Sequence, residues 1–346
     1  MKRIVLYIIF ISISTCFMQK VSMAQKTDTI VHINGDILTG DLKKMVYGVA
    51  SYKMDGMGTI SMEEVKINTI KSKKMFEIKM KSGFIYFGSF DTSGIDRKVN
   101  IVVTNGRELV DIDQIVEIYP IRNNFWMRTS GNFSLGANYS KGSNVATIAF
   151  SGNLSYRKKK SYWNFAWDDN NTFQSDTISS SKADVSLAWQ RLLKKKWSTQ
   201  VMISATQNSE LGTKLRTGIN LTGIRDIAYN NWNRLYAGAG LSLTNEQSYG
   251  GADAKYDLSG VITAGWKVYK YTIPKVWVDA NVSYLPYFTD SGRYRISINL
   301  NPQISILSDN FKIGFTSYYA YDSKPSDENA STNDYGINLT LSYSFH

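Results

Sequence analysis

The chain offers few residues for acid–base or nucleophilic chemistry. Its only histidines are His32 and His346, and neither lies in the middle of a strand beside a serine, so a triad with a histidine base is unavailable. A Gly-x-Ser-x-Gly elbow is also absent. The adjacent carboxylates Asp168 and Asp169 would face opposite sides of a strand and could not act together as acid and base. We therefore predict that the protein is not an enzyme, with no cofactor and no metal site.

A second set of residues favours binding or selection of charged solutes over catalysis. If Trp163, Phe165 and Trp167 face outward, strand alternation turns eight charged residues to the opposite, inner face. These lumen-facing candidates are Asp168, Asp184, Arg216, Asp257, Asp279, Arg293, Arg295 and Lys312. Because acids and bases balance, they either pair and close the interior or form a constriction that selects a small charged solute.

The elements that must position these residues are strands with strict alternation. Residues 335–345 place Tyr, Ile, Leu and Phe at every second position, with Gly, Asn, Thr and Ser between them, and residues 148–156 follow a similar pattern. Such segments, with no intervening helix, predict an all-β chain closed into an antiparallel transmembrane barrel with lipid outside and water inside. We predict twelve strands, at 127–140, 145–157, 161–172, 181–192, 197–208, 213–228, 232–245, 254–269, 275–288, 293–307, 310–321 and 334–346.

The turns and aromatic residues distinguish two ends of this barrel. Short, often basic turns alternate with longer, acidic loops, and short turns are typical of the periplasmic side. An even number of strands then returns both chain ends to the periplasm. One expected aromatic girdle, at the periplasmic ends, contains Trp126, Trp163, Trp189, Trp197, Trp232, Trp266 and Trp277. The other, at the outer ends, contains Tyr139, Tyr249, Tyr284, Tyr287, Tyr319, Tyr321 and Tyr335. Two such girdles are expected at the two headgroup levels of a membrane.

Residues 1–24 predict a secretory signal peptide. Lys2 and Arg3 precede the apolar segment 4–17, and Ser22-Met23-Ala24 is a small-x-small site, so we predict cleavage after Ala24. The alternative is a lipoprotein acylated at Cys16. If cleavage follows Ala24, the mature chain has no cysteine and therefore no disulfide or thiol chemistry.

Residues 25–122 predict a small periplasmic β domain with an internal repeat at an offset of 48 residues. The repeat pairs Ile30 with Ile78, Gly35 with Gly83, Gly40 with Gly88, Gly58 with Gly106, Ile67 with Ile115, and Ile70 with Ile118. Each copy is expected to be a strongly bent sheet of about five strands. The pattern resembles the Sm-like or SH3-like barrels of bacterial envelope proteins, and this resemblance implies binding of peptides or RNA.

The partner of this domain is left open by its sequence. We expect no nucleic-acid partner, because an exported envelope protein rarely meets nucleic acid. A basic cluster either contacts a periplasmic partner, such as lipid phosphates or peptidoglycan, or is a solvated face. This cluster contains Lys71, Lys73, Lys74, Lys79 and Lys81.

The C-terminal strand resembles the sorting signal that the outer-membrane barrel insertion machinery recognises. The matching residues are Asp334, Gly336, Leu339 and Leu341, with the final aromatic, Phe345, one place early because His346 ends the chain. Over its whole length the chain resembles an uncharacterised family of outer-membrane barrels, domain of unknown function 481, some of whose members are labelled salt-induced outer-membrane proteins. The resemblance to the sorting signal implies the insertion machinery as a partner, and the resemblance to the family implies outer-membrane lipid as the surroundings. Neither implies a mechanism.

Three functions are compatible with these observations. We expect an outer-membrane barrel, with its N-terminal domain in the periplasm, that acts as an envelope scaffold or a narrow, largely closed channel. The first alternative is an outer-membrane channel specific for a small solute. The second is a barrel that anchors a periplasmic binding module. Whether the inward charges pair with one another separates a closed barrel from a channel that selects a solute.

Overall fold

The computed structural model describes residues 28–54, 56–121, 125, 128–140, 144–174, 177–250, 254–271, 274–306, 308, 310–325 and 330–345. The predicted signal peptide with Cys16, Trp126 and His346 lie outside the described residues. The described regular structure is strand apart from two 3-10 helices, Glu64–Lys66 and Ile112–Gln114. No helix in these ranges is both long and apolar enough to cross a bilayer.

The C-terminal strands form a closed barrel. Its strands are β10 (Thr129–Ser140), β11 (Val145–Lys158), β12 (Ser161–Gln174), β13 (Thr177–Leu192), β14 (Trp197–Asn208), β15 (Thr213–Tyr229), β16 (Asn233–Ser248), β17 (Lys255–Lys270), β18 (Val276–Pro286), β19 (Tyr294–Ser305), β20 (Phe311–Asp322) and β21 (Asn333–Phe345). Each strand pairs antiparallel with the next, and β21 pairs with β10 to close the ring. The predicted fold class, all-β with a twelve-stranded antiparallel transmembrane barrel after a small β domain, is confirmed.

The barrel wall has an apolar outer face and a polar inner face. Along β21 the side chains of Tyr335 and Ile337 are 72% and 64% exposed, whereas Asn338 and Thr340 are 2% exposed. The outer face of the barrel continues this row of exposed Leu, Ile, Phe and Trp side chains around its circumference. A soluble monomer does not tolerate an apolar surface of this extent, so this face is the one that contacts lipid.

Several strands extend farther than the sequence predicted, and in two of them the extension contains a charged residue of the lumen. β16 continues to Ser248 and β20 to Asp322, so Glu246 and Asp322 belong to paired strands and not to loops. Glu246 lies opposite Arg216, and Asp322 lies opposite Arg295. The ladder is therefore extended by charged cross-strand pairs, which the apolar alternation does not detect.

The N-terminal domain contains nine strands in one sheet. They are β1 (Asp28–His32), β2 (Ile37–Val46), β3 (Val49–Met54), β4 (Gly58–Glu63), β5 (Ile67–Met80), β6 (Ile85–Thr92), β7 (Lys98–Val103), β8 (Gly106–Asp111) and β9 (Ile115–Pro120). The strand order is β4-β3-β2-β1-β5-β6-β7-β8, and β9 pairs with both β2 and β5. The long strand β5 shifts register between Ser72 and Phe76, so its two parts belong to different halves of the domain.

The two halves have the same succession of elements. Four strand segments lead to a three-residue 3-10 helix and then to a strand that begins at Ile67 in the first half and at Ile115 in the second. The six repeat-related isoleucines, Ile30, Ile67, Ile70, Ile78, Ile115 and Ile118, are all fully buried in one core. The repeated pattern therefore marks the core of the domain. Its Sm-like or SH3-like identity stays a prediction.

Two repeat-related glycines allow strands to approach closely. A Cβ atom at Gly40 would collide with the backbone oxygen of Lys53, and one at Gly88 with the backbone oxygen of Val102. Glycine is required at both positions because backbone atoms occupy the space of a side chain.

A buried carboxylate connects four strands of this domain. Asp28 is fully buried and accepts hydrogen bonds from the Leu42 amide at 2.7 Å, the Ser72 hydroxyl at 2.5 Å and the Lys74 ammonium at 2.8 Å. The Tyr52 hydroxyl donates a hydrogen bond to the backbone oxygen of Asp28 at 2.6 Å. Because the buried charge is fully partnered, it stabilises this arrangement of strands.

We expect Phe76→Ala to lower the free energy of unfolding of the N-terminal domain by about 3–5 kcal/mol. The ring is fully buried and lies 5.3 Å from that of Phe90, centroid to centroid. Pulse proteolysis of the full chain in urea and detergent measures this energy. Phe84→Ala is the matched control, because that ring is 68% exposed, and its effect should stay within about 0.5 kcal/mol. Equal effects of the two substitutions would contradict the core assignment.

Candidate functional site: a barrel closed at both mouths

The eight charged residues predicted from strand parity lie on the inner face of the wall. Asp257, for example, is fully buried while its neighbour Tyr256 is 72% exposed on the outer face. We call the barrel end that contains Tyr269 and Trp277, next to the N-terminal domain, the domain mouth, and the opposite end the far mouth. Asp168, Asp184, Arg216, Asp257, Arg293 and Arg295 lie in the half toward the far mouth, and Asp279 and Lys312 lie toward the domain mouth.

Three arginines and three carboxylates form a buried cluster at the far mouth. We call this group, Arg216, Arg293, Arg295, Glu246, Asp257 and Asp322, the arginine cluster. Arg293 bonds Asp322 at 2.8 Å, Glu246 at 3.1 Å and Asp257 at 3.3 Å. Arg295 bonds Glu246 at 2.8 Å. The cluster therefore joins β15, β16, β17, β19 and β20 across the interior, rather than only neighbouring strands.

The arginine cluster is electrically balanced. Five of its six charged side chains are buried and Arg216 is partly buried, and burial of a charge is tolerated only when a partner compensates it. Removal of one partner would leave an uncompensated buried charge, at a cost of about 3–5 kcal/mol. The cluster thus connects five strands from the inner side of the wall.

A second group of contacts bridges the lumen near the far mouth. Lys182 pairs with Asp184 at 2.5 Å and Asp168 at 3.6 Å, and its ammonium lies 4.5 Å from the ring centroid of Tyr318. Tyr318 is on β20, which is five pairings away from β13 around the barrel. Lys182 therefore reaches almost to the opposite wall.

Two hydrogen bonds complete this bridge. The Asn208 amide on β14 donates to the Asp334 carboxylate on β21 at 2.8 Å. In the loops, the Ser331 backbone N–H donates to the Glu210 backbone oxygen at 2.9 Å. Because β14 and β21 are also five pairings apart, the bond between Asn208 and Asp334 crosses the lumen near the far mouth.

At the domain mouth, a turn of the N-terminal domain enters the lumen. Tyr47, between β2 and β3, stacks on the Tyr269 ring with centroids 3.7 Å apart and meets Trp277 edge-on at 6.3 Å. Tyr269 and Trp277 are directly opposite residues on the inner face of β17 and β18. Tyr47 and Gly48 both have positive φ, 57° and 72°, as in the tight hairpin turns that project a tip.

Charged contacts hold the domain around this turn. Arg157, at the end of β11, bonds Glu77 at 2.6 Å and Glu117 at 3.2 Å, and it lies 3.8 Å from the Tyr119 ring centroid. The Tyr229 hydroxyl of the barrel donates to Glu117. Glu117 is thus a buried acceptor from two different barrel strands.

A third contact corrects one interpretation of the basic cluster of the N-terminal domain. Lys79 is 5% exposed and bonds the barrel residue Asp226 at 3.3 Å, while Arg234 bonds the same carboxylate at 2.8 Å. Lys79 was expected on a solvated face or against lipid or peptidoglycan. It is instead part of the interface between the domains, because β5 packs against the barrel mouth. Lys74 is also paired, with Asp28 and Asp41.

Interface charges of the N-terminal domain have shifted pKa values. Burial by itself would raise the pKa of Glu117, but the positive charges of Arg157 and Lys79 and the Tyr229 hydroxyl lower it to about 2. Burial, together with the positive charge of Lys312, lowers the pKa of Lys44 to about 8. Glu117 is therefore ionised over the whole neutral range, whereas the pKa of Lys44 lies closer to neutrality than that of an exposed lysine.

Two of the aromatic residues assigned to the girdles face the lumen and not the lipid. Trp277 faces the lumen at the domain mouth and does not belong to the outward girdle. Tyr287 is 6% exposed and lies 4.7 Å from the Arg293 guanidinium. The partner of Trp277 is the Tyr47 ring of the N-terminal domain, and that of Tyr287 is the lumen residue Arg293. Position along the chain does not reveal either partner.

Several lumen residues were missed by sequence reasoning. Lys182 and Lys267 are on the inner face, and strand parity would have found them; they pair with Asp184 and Asp279. Glu246 and Asp322 were missed because they were assigned to loops. The cross-lumen partners Asn208 and Asp334 carried no local signal.

The residues of the predicted insertion signal all lie on β21. Asp334 is on the inner face, in the bridge, and Gly336 is on the same face next to the Tyr318 ring. Leu339 and Leu341 are about half exposed on the outer face, and Phe345 ends the strand. A role of these residues in insertion stays a prediction.

The fold defines a class: a twelve-stranded transmembrane β-barrel whose N-terminal domain packs at one mouth. The family model described as "Protein of unknown function, DUF481" matches residues 133–345. The chain belongs to this family. The sequence matches no curated protein.

Several solved porin structures are similar to the chain. The NanC porin is 11% identical, with a TM-score of 0.40 over 62% of this chain and 99% of that one. The KdgM porin, solved with disordered oligogalacturonate, is 10% identical, with a TM-score of 0.33 over 63% of this chain and 99% of that one. A further porin is 10% identical, with a TM-score of 0.29 over 92% of this chain and 98% of that one. At such low scores and identities these similarities carry no conclusion about activity.

We expect Glu117→Gln to loosen the contact between the two domains by about 2–5 kcal/mol, because it leaves the buried Arg157 charge with less compensation. Hydrogen exchange of β9 in the full chain should become faster. Because the folded pKa is below the ordinary value, the contribution of Glu117 is complete above pH of about 4.3 and is lost as the pH falls toward 2. The wild-type interface should therefore loosen over that pH range, and the variant should show a smaller change, because only Glu77 and Asp226 remain as carboxylates in these ion pairs.

Asp111→Asn serves as the control for this experiment. Asp111 is about half exposed and forms a surface pair with Lys98 at 3.2 Å, which is worth less than about 1 kcal/mol. Faster exchange of β9 in this control, or wild-type exchange in Glu117→Gln, would show that the interface does not depend on the Glu117 charge.

Proposed function

We propose that this protein is an outer-membrane barrel that is closed at rest, with its N-terminal domain on the periplasmic side as a plug, and that it acts as an envelope scaffold. The single observation that carries the proposal is the set of contacts that reach into or across the lumen at each of the two mouths. The far mouth has the arginine cluster and the cross-lumen bridge, and the domain mouth has Tyr47 and the Arg157–Glu117 contact.

Several features support the location. The apolar outer face needs a lipid environment, and the first residues resemble a signal peptide that directs export. An even number of strands returns the end of the barrel to the side of the N-terminal domain. The C-terminal strand resembles the signal recognised by the barrel insertion machinery. Together these favour the outer membrane, with the plug in the periplasm.

A specific observation favours a second candidate, a channel for a small polar solute. Between the two mouths the inner face carries Ser, Thr and Asn side chains, and several of their buried polar atoms have no protein partner, among them those of Asn220, Ser242, Ser259, Asn301 and Asn338. Buried polar groups of this kind are satisfied by water. A hydrated chamber between two closures would conduct a solute if both closures opened.

We also propose that the protein has no enzymatic activity. The proposal is supported by the position of His32, which ends β1 of the N-terminal domain and bonds Asn34 in the adjacent turn at 2.7 Å. The purified protein, incubated with outer-membrane lipids, should release no acyl chains above a protein-free control in lipid analysis. Stoichiometric acyl release that persists after repurification would overturn this proposal.

Planar-bilayer conductance separates the scaffold from the channel. We expect silence from the wild-type protein, from Arg295→Ala, which weakens the far mouth, and from Tyr47→Ala with Glu117→Gln, which weakens the domain mouth. Either closure is sufficient to block the lumen. The combination of all three substitutions should give a steady current.

Insertion of each protein is verified by heat-modifiable migration on a gel. Arg107→Ala, an exposed substitution in the N-terminal domain, is the control and should be silent. A steady wild-type current would refute the closed scaffold. A current from the domain-mouth variant alone would favour the solute channel, with the N-terminal domain as its gate.

A further inference from the structure

A basic cleft lies where the N-terminal domain meets the outer wall of the barrel. Its walls are the β5–β6 hairpin tip and the turn between β13 and β14. The cavity has a volume of roughly 550 Å³ and is lined by Ser82, Lys195, Lys196, Arg225, Asp226 and Ile227. It shares Asp226 with the contact between the two domains, and its other lining residues belong to none of the contacts described at the two mouths.

The two walls of the cleft are in direct contact. A Cβ atom at Gly83, whose φ is +87°, would lie 2.9 Å from the backbone nitrogen of Lys196. The Asp226 backbone N–H donates to the Lys196 oxygen at 2.9 Å. The cleft therefore has a defined shape that depends on both domains.

The turn presents its lysines from an unusual backbone conformation. Lys195 and Lys196 have φ values of +55° and +65°, a region that glycine adopts freely and lysine only at a cost. Glycine would relieve the backbone at both positions, so the presence of two lysines there is consistent with a function of their side chains.

The charge of the cleft is positive. Within the described part of the chain, Lys195, Lys196 and Arg225 form no salt bridge. The carboxylate of Asp226 is already compensated by Lys79 at 3.3 Å and Arg234 at 2.8 Å. Three cations consequently face the cavity without a compensating anion, and a phosphate group suits such a site.

The cleft opens onto the apolar outer surface. Trp197 and Ile227 beside it are 45% and 58% exposed, and the Arg225 guanidinium lies 5.6 Å from the Trp197 ring centroid. Indole rings favour the headgroup level of a bilayer, and cations on the same surface contact phosphates there. A molecule in the cleft would thus have its phosphate on the basic residues and its chains along Trp197 and Ile227.

We propose that this cleft is a binding site for the phosphate headgroup of an anionic phospholipid. The proposal rests on the proposed membrane location and adds a defined site and a ligand class to it. The bound lipid would connect the hairpin of the N-terminal domain to the bilayer surface.

Native mass spectrometry of the full chain from detergent tests the site. The probes are phosphatidylglycerol and phosphatidylcholine with the same acyl chains, and inorganic phosphate. Wild-type protein should retain phosphatidylglycerol about tenfold more than phosphatidylcholine. Lys195→Gly with Lys196→Gly and Arg225→Gln should abolish this preference, while heat-modifiable migration shows that the barrel still forms, because glycine relieves the strained turn.

The control removes three lysines from the same end of the barrel: Lys158→Gln, Lys194→Gln and Lys270→Gln. It should keep the preference, although it has the same loss of charge. Equal retention of both lipids by the wild type, an equal loss of preference in the control, or full competition by inorganic phosphate would each overturn the lipid site. Failure of the proposed location would appear differently, as absence of heat-modifiable insertion in every variant.

Discussion

For a barrel wall in contact with lipid, a charge or an open backbone hydrogen bond on the outer surface is costly. In this chain the backbone requirement is met by closure of β21 onto β10, and the cost of exposed charge favours the lumen as the place for the eight charged residues identified by strand parity. Charge concentrated in a narrow interior must then be compensated. Both closures follow from that constraint, because opposite charges from distant strands reach each other only by crossing the lumen.

The same constraint explains how the N-terminal domain is attached. The domain supplies Glu77 and Glu117 to the barrel cation Arg157, and Lys79 to the barrel anion Asp226. Each domain therefore satisfies a buried charge that the other would otherwise leave exposed or unpaired at the mouth. Tyr47 fills the space between these contacts by stacking on Tyr269. The N-terminal domain and the barrel are for this reason one electrostatic unit. Within it, burial together with the like charge of Lys312 lowers the pKa of Lys44.

The outer surface shows the complementary arrangement. Charges that cannot enter the lumen, such as Lys195, Lys196 and Arg225, collect at the level where the wall leaves the hydrocarbon, next to Trp197. There they are neither paired nor buried, so they remain available to an external anion. Charges inside the barrel pair with one another across the lumen, whereas those at its rim are exposed to an external anion.

The sequence by itself determined the features that depend on neighbours along the chain. Period-two alternation specified the strands, their number and which residues face inward, and the 48-residue repeat identified the isoleucines of the N-terminal core. Only the tertiary structure decided which charges meet: Arg293 with Asp322 and Glu246, Asn208 with Asp334, and Lys79 with Asp226. It also turned Trp277 inward, onto a ring from another domain. The physical reason is that alternation is a property of a single strand, whereas a contact across a lumen depends on the diameter of the closed barrel and the stagger of strands far apart in sequence.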